Sequence, residues 1–146
     1  MIIKIYFMLK TVLMSFISLA LFTGCSKTST EKLNEMVSTD GTLKWGGSFK
    51  GIGSEKVSGQ AKVFLSNNKY MLKLENFSTT NGPDLKVYLS KESTPSEFIS
   101  LGDLKSTNGN QVYEISGTPN FLKHRFVLIH CERFNHLFGT AELTSQ

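Results

Sequence analysis

Thiols and imidazoles are the side chains here best suited to chemistry, and there are few of them: Cys25 and Cys131, with His124, His130 and His136. The two cysteines sit in unlike contexts. Cys25 closes the run Leu21-Phe22-Thr23-Gly24-Cys25, at the end of an apolar N-terminal segment. A bacterial lipoprotein signal places there the cysteine that is cleaved before and acylated, which turns its sulfur into a thioether. Cys131 is then a lone thiol in an exported chain. Exported chains usually pair their cysteines or omit them, so an odd thiol needs a reason.

Two readings of Cys131 stand side by side. In the run Phe126-Val127-Leu128-Ile129-His130-Cys131, strand alternation puts Val127, Ile129 and Cys131 on one face. Cys131 then has aliphatic neighbours and serves as a small hydrophobe. If Glu132 to Asn135 forms a hairpin loop, however, Cys131 and His136 oppose each other. Opposed residues have Cβ atoms about 5 Å apart. A histidine there would activate the thiol or join it as a metal ligand. His124 and His130 fall in no metal-ligand spacing and read as solvated or hydrogen-bonded. Asp84 and Asp103 lie in turn sequences, where carboxylates commonly cap backbone N–H groups. Nothing assembles a nucleophile elbow or a phosphate loop.

The N-terminus sets the compartment. Lys4 and Lys10 give a basic start without an acid, and Thr11 to Phe22 is an apolar stretch of a length suited to a signal. A spanning helix needs about 20 unbroken apolar residues. The expectation is a signal over residues 1–24, with lipid on Cys25 as a membrane anchor. Each buried methylene of that lipid contributes about 0.8 kcal/mol. The protein is expected in the bacterial cell envelope, facing away from the cytoplasm. Ser26 in place of Asp after the cysteine points to the outer membrane if the cell is Gram-negative. Without Lys4 and Lys10 the mature chain carries 14 bases against 12 acids. That near balance, with no basic cluster, argues against a nucleic-acid partner.

Residues 25–40 read as the lipidated cysteine and a polar tether, with helical spacing at Leu33, Met36 and Val37. Residues 41–146 read as one all-β domain of short antiparallel strands, a sandwich or barrel. Val57 to Leu65 and Tyr70 to Glu75 alternate around the turn pair Asn67-Asn68. Strands are also expected at Leu85–Leu89, Gln111–Ile115, Phe126–Ile129 and His136–Phe138, with a helical turn within Gly117–Lys123. The 11 phenylalanines fit a sandwich core and could also line an apolar cofactor slot.

A set of segments in fixed order resembles a known family. These include Val57-Ser58-Gly59-Gln60-Ala61, Leu74-Glu75-Asn76-Phe77, Asn81-Gly82-Pro83-Asp84-Leu85 and Leu101-Gly102-Asp103-Leu104. The ending from His130 to Leu143 carries Cys131, Phe134, Phe138-Gly139 and Ala141. Together they resemble the electron-transfer DM-thirteen domain from about Lys44 to Leu143. The resemblance implies a β-rich domain with one characteristic cysteine, here Cys131, and a redox role through the bare thiol or through a metal or haem held by it. It also implies a redox partner protein rather than a stand-alone enzyme. Relatives commonly carry an aromatic residue where this chain has His130, and the position of His136 is usually not histidine. That leaves room for a ligand set peculiar to this chain. The rival expectation is a non-catalytic binding module for a protein or carbohydrate. Its surfaces would be Lys91–Ser96, Ser106–Asn110 and Glu132–His136.

Overall fold

A computed structural model describes residues 28–36 and 41–146. The expected signal and Cys25 lie outside the described residues. Strands follow in chain order: β1 (Leu33–Asn34), β2 (Thr42–Gly51), β3 (Val57–Ser66), β4 (Lys69–Thr79) and β5 (Leu85–Ser90). Then come β6 (Ile99–Asp103), β7 (Asn108–Ile115), β8 (Phe126–Cys131), β9 (His136–Glu142) and β10 (Thr144–Ser145). The described residues contain no helix. Their order across the sheet is β1-β7-β4-β3-β2-β9-β8-β5-β6, with β10 beside β2. All pairs are antiparallel except β1 with β7. This is the all-β, sandwich- or barrel-like class expected from the sequence.

The sheet curls on β2. Residues Thr42 to Ser48 pair with β3, and Phe49 to Gly51 pair with β9. Gly47 marks the crossover: a Cβ there would collide with the carbonyl of Glu142. Only glycine lets the two backbones approach so closely. The fold-over encloses one core. Ala61, Val63, Leu72, Leu74 and Phe77 from one half meet Val87, Leu89, Val127, Ile129 and Phe138 from the other. Phe49 and Phe77 join the halves edge to face at 5.3 Å between ring centroids. Such a pair adds about 1 kcal/mol beyond the area it buries.

The opposite end is closed by Trp45, stacked on Phe121 at 4.3 Å, with Tyr70 edge-on. Between β3 and β4, Asn67 and Asn68 both adopt positive φ, at 49° and 60°. That is the hairpin geometry their side chains tolerate best. The expected single helical turn lies at the end of the Gly117–Lys123 segment and does not extend into a helix: the Asn120 carbonyl accepts the His124 N–H at 2.8 Å, and its Oδ1 accepts the Leu122 N–H at 3.0 Å.

Part of the stretch read as a tether lies along the domain. Leu33 and Asn34 form a strand, not a helical turn, opposite Gly109 and Asn110. Ser29 pairs with Ser106. The Glu35 carboxylate accepts the Val112 N–H at 2.8 Å and pairs with Lys105 at 2.8 Å. Burial alone would raise the Glu35 pKa. Lys105 and Val112 outweigh that and hold it below the ordinary value.

Candidate functional site

The site is built at the end of β8. Val127, Ile129 and Cys131 point into the core, and Leu128 and His130 point to the other face. Cys131 is wholly buried and is the free cysteine of the described residues. Leu85 of β5 opposes it on one side and His136 of β9 on the other. The hairpin register therefore opposes Cys131 and His136. The side chains have different company. The His136 ring is half exposed, lies 3.2 Å from a Glu55 carboxylate oxygen and stands edge-on to Phe138. Cys131 belongs to the close-packed core.

The outer face of β8 is also covered, as its continuous apolar run requires. Tyr88, Leu128 and His130 are all buried there. The segment after β5 brings Phe98 across Tyr88, rings stacked at 4.1 Å. Ser90, itself buried, pins that segment by donating its hydroxyl to the carbonyls of Thr94 and Ser96 at 3.0 and 2.9 Å. The His130 ring lies 5.6 Å from Tyr88. Burial lowers the His130 pKa, opposed by the hydrogen bond its ring donates to Asn135. Its Nδ1 is buried without a hydrogen-bond partner. His130 is thus a neutral packing residue.

A polar clasp closes the hairpin over this strand. Tyr88 donates its phenolic hydroxyl to the Glu132 carboxylate. Burial first, and then Glu132, push the Tyr88 pKa up, so the phenol stays protonated. The Lys86 ammonium pairs with Asp103, with Asp84 at 2.9 Å and with Glu132 at 4.0 Å. Asp103 and then Asp84 raise its pKa. Asp84 and Asp103, read from the sequence as turn caps, both take part in this ion cluster. The Glu132 N–H also donates to the Asp84 carbonyl at 3.0 Å. Sequence reasoning missed Tyr88, Phe98, Lys86 and Glu132. The available signal was Tyr88 and Leu128 on a strand face that otherwise alternates toward polar residues.

The surroundings of Cys131 do not fit a metal or a haem. Among the described residues no group of three or more His, Cys, Asp or Glu side chains converges. The thiol has no exposure, and the neighbouring imidazole is engaged by Glu55. Two clefts lie elsewhere, at the β2 crossover, and share Ser48, Glu142 and Thr144. The larger holds about 400 Å³ and is also lined by Gln60, Lys62 and Gln146.

Fold and site together define an all-β domain with a single core-buried thiol at the end of β8, next to a turn tied down by polar contacts on the strand's outer face. The chain belongs to the electron transfer DM13 family, whose sequence pattern matches residues 49–143. Its role is accordingly one related to electron transfer. A search of curated proteins finds no match, and neither does a search of solved structures.

Proposed function

We propose that this protein is a lipid-anchored, extracytoplasmic redox component, held to the cell-envelope membrane through Cys25, whose reactive group is the Cys131 thiol. The observation that carries the reading is the seat of Cys131: the domain's one thiol ends β8, directly before the four-residue turn Glu132–Asn135. Access then comes from opening that turn, not from standing exposure. Once open, the thiolate attacks a disulfide of a partner protein. A mixed disulfide forms, the partner's other sulfur leaves as thiolate, and the Cys131 proton passes to water. A dithiol of a second, more reducing protein then attacks the Cys131 sulfur and releases the first partner as a dithiol; its other thiol closes that protein's own disulfide and frees Cys131, so two electrons pass from the second protein to the first. Sealing between encounters protects the sulfur from over-oxidation.

Thiol titration of the purified mature domain, native and then denatured, tests this. Slow but complete labelling of Cys131 in the native state is expected, together with loss of partner disulfide exchange in Cys131→Ser. A thiol wholly silent until denaturation overturns the proposal. Metabolic labelling with an acyl analogue, present in the natural protein and absent in Cys25→Ser, tests the anchor.

The clefts at the β2 crossover, the larger of them mostly polar, favour a second reading, a binding module for a carbohydrate or protein. Of its expected surfaces, Lys91–Ser96 is partly exposed and Glu132–His136 is exposed, whereas Ser106 and Thr107 are buried. Ligand capture on a glycan array, unaffected by Cys131→Ser, would favour it over the redox reading.

A further inference from the structure

The N-terminal segment fixes which end of the domain faces the anchor. The Ser29 N–H donates to the Lys105 carbonyl at 3.1 Å, and the Ser29 carbonyl accepts from Thr107 at 2.8 Å. From there β1 runs parallel to β7. The described chain therefore enters its pairing with the domain at the start of β7. Only four peptide units separate Cys25 from Ser29, a reach of at most about 14 Å. Strand β7 alone is 8 residues long, or about 27 Å. A lipid on Cys25 cannot bring the far end of the domain to the membrane while β1 stays paired.

The near end is a rim of loops tied to one another. Leu104 donates to the Leu85 carbonyl at 2.8 Å, and Leu85 opposes Cys131. Thr79 donates to Thr107 at 2.9 Å and Thr80 to Lys56 at 3.1 Å. Ile52 donates to Phe138 at 2.9 Å. This rim therefore includes the β2–β3 loop and the β8–β9 turn. Each presents a bare apolar side chain: Ile52 is 38% exposed and Phe134 69% exposed. Each also carries an exposed cation, Lys56 and Arg133. Apolar tips beside cations suit the boundary between acyl chains and anionic headgroups.

We infer that this rim is a lipid-contacting face, with Phe134 and Ile52 entering the interface and Lys56 and Arg133 lying among anionic headgroups. The inference rests on the lipidation of Cys25 proposed above. It makes the turn over Cys131 part of the membrane-facing surface.

Tryptophan reporters test it in the full lipidated protein, reconstituted into vesicles of phosphatidylcholine and phosphatidylglycerol with brominated acyl chains. Phe134→Trp and Ile52→Trp should show emission quenched several-fold more than Leu122→Trp, which reports from the far end, where Leu122 is 83% exposed. Native Trp45 supplies the common background. A flexible insertion of about a dozen residues after Cys25 should narrow the difference without abolishing it, because the tether then no longer selects the end and only the tips' own affinity does. Equal quenching at all three positions without the insertion, or quenching at none, overturns the orientation even when acyl labelling finds lipid on Cys25. Absence of lipid on Cys25 overturns both the anchor and the face built on it.

Discussion

Tyr88→Phe tests whether the hairpin is the gate to Cys131. The change deletes one hydroxyl, the one donated to Glu132, and keeps the ring that stacks on Phe98. A hydrogen bond to a charged group contributes about 1.5–3 kcal/mol. The Glu132 side chain is 50% exposed, so water competes for it and about 1 kcal/mol is the better figure. That energy is present with the turn closed and lost with it open. The opening constant should therefore rise roughly fivefold. The assay is the rate of native Cys131 modification by an aromatic disulfide reagent, divided by the rate in denaturant, which supplies the intrinsic reactivity. A fivefold rise in that ratio is expected. Gln111→Leu, whose defect lies away from the turn, separates local from global opening. If it raises the ratio in proportion to its loss of global stability, Cys131 is reached only through unfolding and the gating argument fails. An unchanged ratio in Tyr88→Phe refutes it as directly.

Other consequences follow from buried polar groups and close approaches. Gln111 is wholly buried and accepts from Ser106 N–H at 3.1 Å and Tyr113 hydroxyl at 2.9 Å while donating to the Ser106 carbonyl at 2.6 Å. Gln111→Leu strands those groups and should cost about 3 kcal/mol, read as a fall in Tm of roughly 10 °C. Gly47→Ala places a methyl against the Glu142 carbonyl and should destabilise the domain by more than about 2 kcal/mol in urea unfolding. His130, held neutral by burial, makes stability fall as pH drops below about 6.5, because the unfolded chain takes up a proton that the folded one refuses. The Glu75 carboxyl is held below its ordinary value by Lys62 and then Lys73. Its contribution persists until the pH falls below about 4.5, a separate window. His130→Phe should flatten the upper window alone; an unchanged slope of urea midpoints between pH 7.5 and 5 would assign it to another group.

The strands that sequence made legible are those with one constant inward face. β3, and β4 as far as Leu74, alternate about Asn67-Asn68, before a bulge flips β4 so that Phe77 faces inward, and β8 is apolar on both sides because Phe98 and Tyr88 cover its outer face. β2 was illegible for a physical reason. Its first part faces β3 and its last three residues face β9, so no single alternation runs through Trp45-Gly46-Gly47-Ser48. β1, two residues long, owes its existence to Gly109, where a Cβ would strike the Leu33 backbone. The site was half legible. Spacing opposed Cys131 and His136 correctly, but the register shift between Ile129 and His130 and the pull of Glu55 on the ring depend on loops distant in sequence. Tyr88 and Glu132 are 44 positions apart, and nothing local announces their bond.

The turn Glu132–Asn135 has two duties that pull on each other. It follows Cys131 directly, and it carries Phe134 on the rim inferred above to meet lipid. Contact of Phe134 with a lipid surface must therefore alter how often the turn opens or what meets the thiol when it does. A charged, water-soluble thiol reagent is excluded from the headgroup region, so its rate with Cys131 should fall when the lipidated protein sits on vesicles, compared with soluble Cys25→Ser. An apolar maleimide dissolved in the same vesicles should gain relative to it. If both reagents keep their solution ratio on the membrane, the turn is not at the surface, and the thiol and the anchor work independently. If the ratio shifts, the buried cysteine is most readily reached from the membrane side, and its redox partners are best sought among proteins whose disulfides lie at that interface.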